Sequence, residues 1–119
     1  MRVLIVEDEP NLGRQLRATL EGAGYAVDLA TDGEDGHYLG STESYDAIIL
    51  DLRMPVMDGL TFAERYREFP EPRAPLILIS ATVSEMAVRA TGAVTGLRKP
   101  VDLNVLLDTV REFAVEQSA

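Results

Sequence analysis

Val3-Leu4-Ile5-Val6-Glu7-Asp8-Glu9-Pro10 opens the chain with four apolar residues, then three acids, then a proline. The apolar run is continuous and does not alternate, as in a strand buried on both faces. Proline suits the first turn of a helix, where its missing N–H costs nothing. The stretch therefore reads as strand, charged rim and helix, the unit from which parallel sheets are built. The pattern recurs where Ala47-Ile48-Ile49-Leu50 runs into Asp51, and a looser run around Leu97 leads to Lys99-Pro100. A charge that terminates a buried strand lies at the rim of the sheet. If the strands are parallel, all three rims fall on one edge, where open α/β sheets bind ligands.

Outward from these strands, Leu12, Leu16, Leu20 and Ala23 recur every three or four residues, predicting a first helix that Gly22 and Gly24 end. Residues 25–30 alternate apolar and polar, as expected nearer a sheet edge. Residues 33–42 form a weaker helix containing Gly36 and Gly40. After the strand 46–51, residues 52–58 form a loop that Met54-Pro55 shapes and the Asp58-Gly59 turn closes. A helix over 60–69 stops at Pro70 and Pro72, and 75–80 is a third apolar strand ending at Ser80. Thr82 and Glu85 have capping-box spacing for a short helix over 83–91 that Gly92 ends. Residues 93–98 make a poor strand interrupted by Gly96. Asp102 caps a last helix with Leu103, Leu106, Leu107, Val110 and Phe113 on one face. His37, the single histidine, reads as a surface residue. Five successive β-α units predict an α/β fold, with a parallel sheet, right-handed crossovers and helices on both faces.

At 119 residues the chain is expected to be one domain, residues 1–119. It has no cysteine, so neither a disulfide framework nor a thiolate metal site is available. No apolar stretch approaches the roughly 20 residues needed to span a bilayer, and the chain starts directly on strand-like sequence, so the cytoplasm is the expected compartment. A net charge of -9 argues against nucleic-acid binding by this domain, because phosphate backbones need a basic face.

Glu7, Asp8 and Asp51 would repel one another at a shared rim. Two such charges about 4 Å apart cost about 4 kcal/mol at an effective dielectric near 20. A cation or a bound proton must offset that cost. Hard oxygen ligands in a small cluster suit Mg2+, which takes few carboxylates and keeps several waters. Phosphoryl transfer asks mainly for positioning and charge neutralisation, which Mg2+ and Lys99 could supply to a carboxylate nucleophile. Asp51, on the middle strand of the three, is the candidate acceptor.

These residues resemble the receiver domain of two-component response regulators, the CheY-like superfamily. The resemblance rests on Val6-Glu7-Asp8-Glu9, Leu50-Asp51-Leu52-Arg53-Met54-Pro55 with Asp58-Gly59, Ser80-Ala81 and Lys99-Pro100, in that order over nearly the whole chain. It implies a doubly wound, flavodoxin-like sheet of five parallel strands in the order 2-1-3-4-5. It makes Asp51 the phosphoacceptor, with Glu7, Asp8, Asp51 and the Arg53 main-chain carbonyl around Mg2+. Lys99 would pair with the phosphoryl oxygens, and Ser80 would move to meet them. The implied partner is a histidine kinase or phosphotransfer protein. The implied activity is self-catalysed phosphorylation and dephosphorylation, not conventional turnover. The first seventy residues look most like receivers of OmpR-like regulators, which implies a homodimer through helices four and five.

The last third departs from that pattern. Gly96 stands where receivers usually carry Tyr or Phe, Val101 where Phe is usual, and the segment between Ser80 and Lys99 is short. The readout is expected on the 83–113 face, by a route other than the usual aromatic. A phosphorylation-independent pseudo-receiver that acts as an interaction module is the alternative. A flavodoxin-like carrier is disfavoured because Glu7-Asp8-Glu9 would repel a flavin phosphate. A dehalogenase-type phosphatase would need a second Asp where Arg53 stands.

Overall fold

The chain runs β1 (Arg2–Val6), α1 (Pro10–Gly22), β2 (Ala26–Ala30), α2 (Gly33–Thr42), β3 (Ala47–Asp51), α3 (Gly59–Tyr66), β4 (Leu76–Ser80), α4 (Glu85–Thr91), β5 (Thr95–Arg98) and α5 (Leu103–Ser118). The structure, a computed structural model, describes residues 1–53 and 57–118, with side chains through residue 114. Met54-Pro55, expected to shape the loop, lies outside the described residues.

All neighbouring strands pair in parallel, in the order β2-β1-β3-β4-β5. Side chains of a strand alternate between its faces, so the continuous apolar runs serve two cores at once. Val3, Ile5, Ile49, Ile77 and Ile79 pack with Leu16 and Leu20 of α1 and Leu106 and Val110 of α5. Leu4, Val6, Ile48, Leu50 and Leu78 pack on the other face with Phe62, Ala63 and Tyr66 of α3. Alternating residues thus join opposite layers of one doubly wound sheet.

Local chemistry sets the helix ends. Glu9 caps α1, its carboxylate accepting from the amides of Asn11 and Leu12, with Pro10 in the first turn. Gly24 then takes φ +99°, a left-handed conformation that favours glycine. Asp58 caps α3 by accepting from Thr61 N at 2.8 Å, so Asp58-Gly59 starts a helix and is not the expected turn. That helix closes at Tyr66, short of Phe69, because Glu68 N and Phe69 N reach back three residues to Arg65 and Tyr66 carbonyls.

Three further expectations are corrected. Ser84, not Thr82, caps α4, accepting from Ala87 N at 3.1 Å, and the helix starts at Glu85. Thr82 instead donates its amide to Ser80 Oγ, which holds it in the preceding turn. The buried seam of α5 passes through Leu106, Val110 and Ala114, leaving Phe113 half-buried one residue off the seam. His37 is half-buried, edge-on to the Phe69 ring with centroids 5.1 Å apart.

Candidate functional site

The alternation that builds the two cores also aims the charged groups. Asp51 continues the parity of Ile49, Glu7 that of Ile5, and Lys99 that of Leu97, so the three side chains share the α1/α5 side of the rim. Register brings them level: Val6 pairs with Leu50, which places Glu7 beside Asp51. Lys99 N donates to the Ser80 carbonyl at 2.9 Å and pins the lysine at the end of β5.

Lys99 Nζ bridges the acids, 2.9 Å from Glu7 Oε1 and 3.2 Å from Asp51 Oδ2. Glu7 is 1% exposed and Asp51 3%. The Glu7 contact is an ion pair lacking hydrogen-bond alignment, so Oε1 is buried with no aligned donor. The second Asp51 oxygen, Oδ1, accepts from Arg53 N at 3.2 Å. Burial, together with the neighbouring Asp51 carboxylate, pushes the Glu7 carboxyl up to about 7 against the pull of Lys99. Burial works to lower Lys99, but Glu7 and Asp51 outweigh it and hold the ammonium above its ordinary value.

Asp8 is exposed at the mouth. One oxygen from each of Glu7, Asp8 and Asp51 lies within 4.8 Å of the others, close enough for one cation to touch all three. Two buried acids, one of them raised toward neutrality, share a single lysine. With Asp8 counted, three carboxyl groups stand around one ammonium, so the donor set is short of positive charge and fits a hard divalent cation.

Ser80 is buried at the end of β4 with the opposite parity, on the α3/α4 side, where its Oγ accepts from Thr82 N at 3.2 Å. The strands bring Glu7, Asp51 and Lys99 into contact and leave Ser80 across the rim. Gly96 proves to be occupied from outside its strand. A Cβ there would lie 2.7 Å from Val83 Cγ1 and 3.4 Å from Val88 Cγ2, so valines fill the space beside it.

Sequence reasoning missed the Glu9 cap and the Arg53 amide on Asp51. An acid immediately before Pro10 was a readable signal for the first. The second depends on a loop conformation that no periodicity encodes.

A five-stranded parallel sheet of this order, with an acidic cluster and a lysine at the C-terminal edge, defines a class of signalling domain. The family model for the response regulator receiver domain matches residues 3–111, and the chain belongs to that family. It is 39% identical over 117 residues to the transcriptional activator protein IrlR of Burkholderia pseudomallei, covering 95% of this chain and 50% of that protein. It is 38% identical over 119 residues to the response regulator ArlR of Staphylococcus aureus, covering 98% and 53%. The chain thus spans about half the length of these curated relatives. Among solved structures, the Francisella response regulator 1452 receiver domain superposes with a TM-score of 0.89 at 25% identity, covering 98% of both chains. The receiver domain of the Pseudomonas aeruginosa sensor histidine kinase PA1611, solved with a magnesium ion in its active site cleft, gives 0.87 at 29% identity, covering 95% and 96%. Aspartate phosphorylation is typical of this family. Among the described residues, no helix is long and apolar enough to cross a membrane.

Proposed function

We propose that residues 1–119 form one receiver domain that accepts a phosphoryl group on Asp51 from a histidine kinase or phosphotransfer protein. The observation that carries this is the Lys99 ammonium bridging two buried acids, whose oxygens and one of the exposed Asp8 lie within 4.8 Å of one another. Glu7, Asp8 and Asp51, with the Arg53 carbonyl, are the groups that would hold Mg2+. When bound, Mg2+ supplies positive charge for the acids and for the oxygens of an arriving phosphoryl group.

The chain's own groups do the rest. An Asp51 oxygen forms the new O–P bond as the donor's N–P bond breaks, and the departing imidazole takes a proton. Arg53 N holds the carboxylate's orientation through Oδ1. Lys99 then exchanges its Asp51 contact for a phosphoryl oxygen, and Ser80 Oγ turns from Thr82 N toward another. That exchange pulls on the turn leading to α4. The signal is read on the 83–113 face, where Met86, Val94 and Val105 stand exposed, through a changed partner or a homodimer by α4 and α5. The donor docks over the cleft of about 570 Å³ formed by Glu9, Asn11, Leu12, Gln15 and Lys99 to Val101 beside the acids. The domain works in the cytoplasm and does not itself bind nucleic acid.

The test is intact-mass analysis after incubation with Mg2+ and a small phosphodonor. A gain of one phosphoryl group that Asp51→Asn abolishes is expected. No gain in the wild type favours the pseudo-receiver, for which the Gly96 departure speaks.

A further inference from the structure

Gly96 opens a socket in β5 whose walls are fixed. The strand is bonded to β4 on either side of it, Val94 N to the Leu76 carbonyl and Lys99 N to the Ser80 carbonyl, each at 2.9 Å. Gly96 has no positive φ, so backbone conformation does not call for glycine. Space does. A Cβ there would lie 2.7 Å from Val83 Cγ1, well inside the separation of about 3.5–4.0 Å at which carbons pack. Val88 Cγ2, from α4, stands further off at 3.4 Å.

Val83 belongs to neither a strand nor a helix. It lies in the turn between β4 and α4, next to Thr82, whose amide donates to Ser80 Oγ at 3.2 Å. One short stretch of chain therefore sets both the seat of the valine and the hydrogen bond of the hydroxyl. Val83, Val88, Val94 and Gly96 also line a groove of about 390 Å³, so the half-buried valine has room to leave its seat while β5 stays paired.

We propose that Val83 transmits the signal of this domain. It is a plug carried on the turn after Ser80, seated beside Gly96 at rest, and withdrawn into the groove when Ser80 Oγ leaves Thr82 N for the phosphoryl group. Where receivers usually place an aromatic on this strand, the strand here supplies the cavity and the turn supplies the side chain. This rests on the phosphoacceptor reading above and names its route to the 83–113 face. The phosphoryl group competes with Thr82 N for one hydroxyl, and it shifts the turn only as far as it discriminates between the two states.

Residues on such a route typically change coupling by about 2- to 30-fold. In the resting protein, Val83→Ala empties the socket and Gly96→Ala fills it. Both should quicken solvent exchange of the Thr82 amide by about that factor, read by NMR. Val88→Ala, which touches the socket from α4, should stay within about twofold of wild type. After incubation with Mg2+ and acetyl phosphate, wild type and Val83→Ala should gain the same mass. The shift that phosphorylation induces in the Gly96 amide resonance should be at least about twofold smaller in Val83→Ala. An equal induced shift in the two overturns the proposal. So does unchanged Thr82 exchange in Val83→Ala, or equal quickening in Val88→Ala, which would mean that α4 loosens at large. Val83→Ala adds no bulk, so an unfolded Gly96→Ala does not spare the proposal. A wild type that gains no mass fails the phosphoacceptor reading, and the resting Thr82 exchange judges the plug and its socket apart from that failure.

Discussion

Glu7 carries the unusual electrostatics of this chain. In the folded protein burial first, and Asp51 second, raise it from 4.5 to about 7. The folded state therefore binds more protons than the unfolded state between those values, and stability falls as pH rises through that window. Below about 4.5 both states hold the proton, and above about 7 both have lost it, so the slope is confined to that interval. In chelator, urea midpoints should decline from about pH 5 to about pH 7 in the wild type, and Glu7→Gln should flatten the decline. A wild-type profile that rises over that range would contradict the assignment of the slope to Glu7. The identity of this acid was readable as the residue after an apolar strand, and so were Asp51 and Lys99. Its raised pKa was not, because it depends on the depth at which β1 and β3 hold the two carboxylates.

The elements differ in how plainly their residues announced them. β1, β3 and β4 were legible because a continuous apolar run of strand length has few other readings. The start of α4 was not, because two hydroxyl-bearing residues, Thr82 and Ser84, compete for one cap and only backbone geometry chooses between them. Ser84→Ala should accordingly cost about 1 kcal/mol, and Thr82→Ala within about 0.5 kcal/mol of nothing, by thermal or urea unfolding. The glycines of α2 looked like weaknesses, yet Gly36 marks close approach of the helix to Val6 and Phe62. Gly96 has the same origin. Gly96→Ala should cost about 1–3 kcal/mol through its overlap with Val83, and Val83→Ala in the same chain should recover part of that loss. Independent, additive losses in that double-mutant cycle would mean that the valine does not fill the glycine's space.

For the molecule as a whole, the layer order followed from the five-fold β-α alternation, whereas the 2-1-3-4-5 order was available only through family resemblance. Periodicity says that strands are buried and leaves open which strands are neighbours. Cation binding to the folded state alone adds RT ln(1 + [L]/Kd) to stability, about 2.7 kcal/mol at a hundredfold excess over Kd. Mg2+ should therefore raise the unfolding midpoint, chelator should reverse the rise, and a double Asp8→Asn, Asp51→Asn chain should lose it. A midpoint indifferent to Mg2+ in the wild type would remove the cation from the account. The registers carry one more consequence. Glu7 stands beside Asp51, Asp51 is level with Ile79, Ser80 is one step further and level with Arg98, and Lys99 is one step beyond that. The rim is thus a staircase, its lowest tread at β1 and β3 and its highest after β5. Each tread is about 3.3 Å high, the rise of one parallel-strand residue. Lys99 reaches down this flight to its acids, so a single slip of β5 against β4 would lift the lysine clear while leaving every carboxylate where it was.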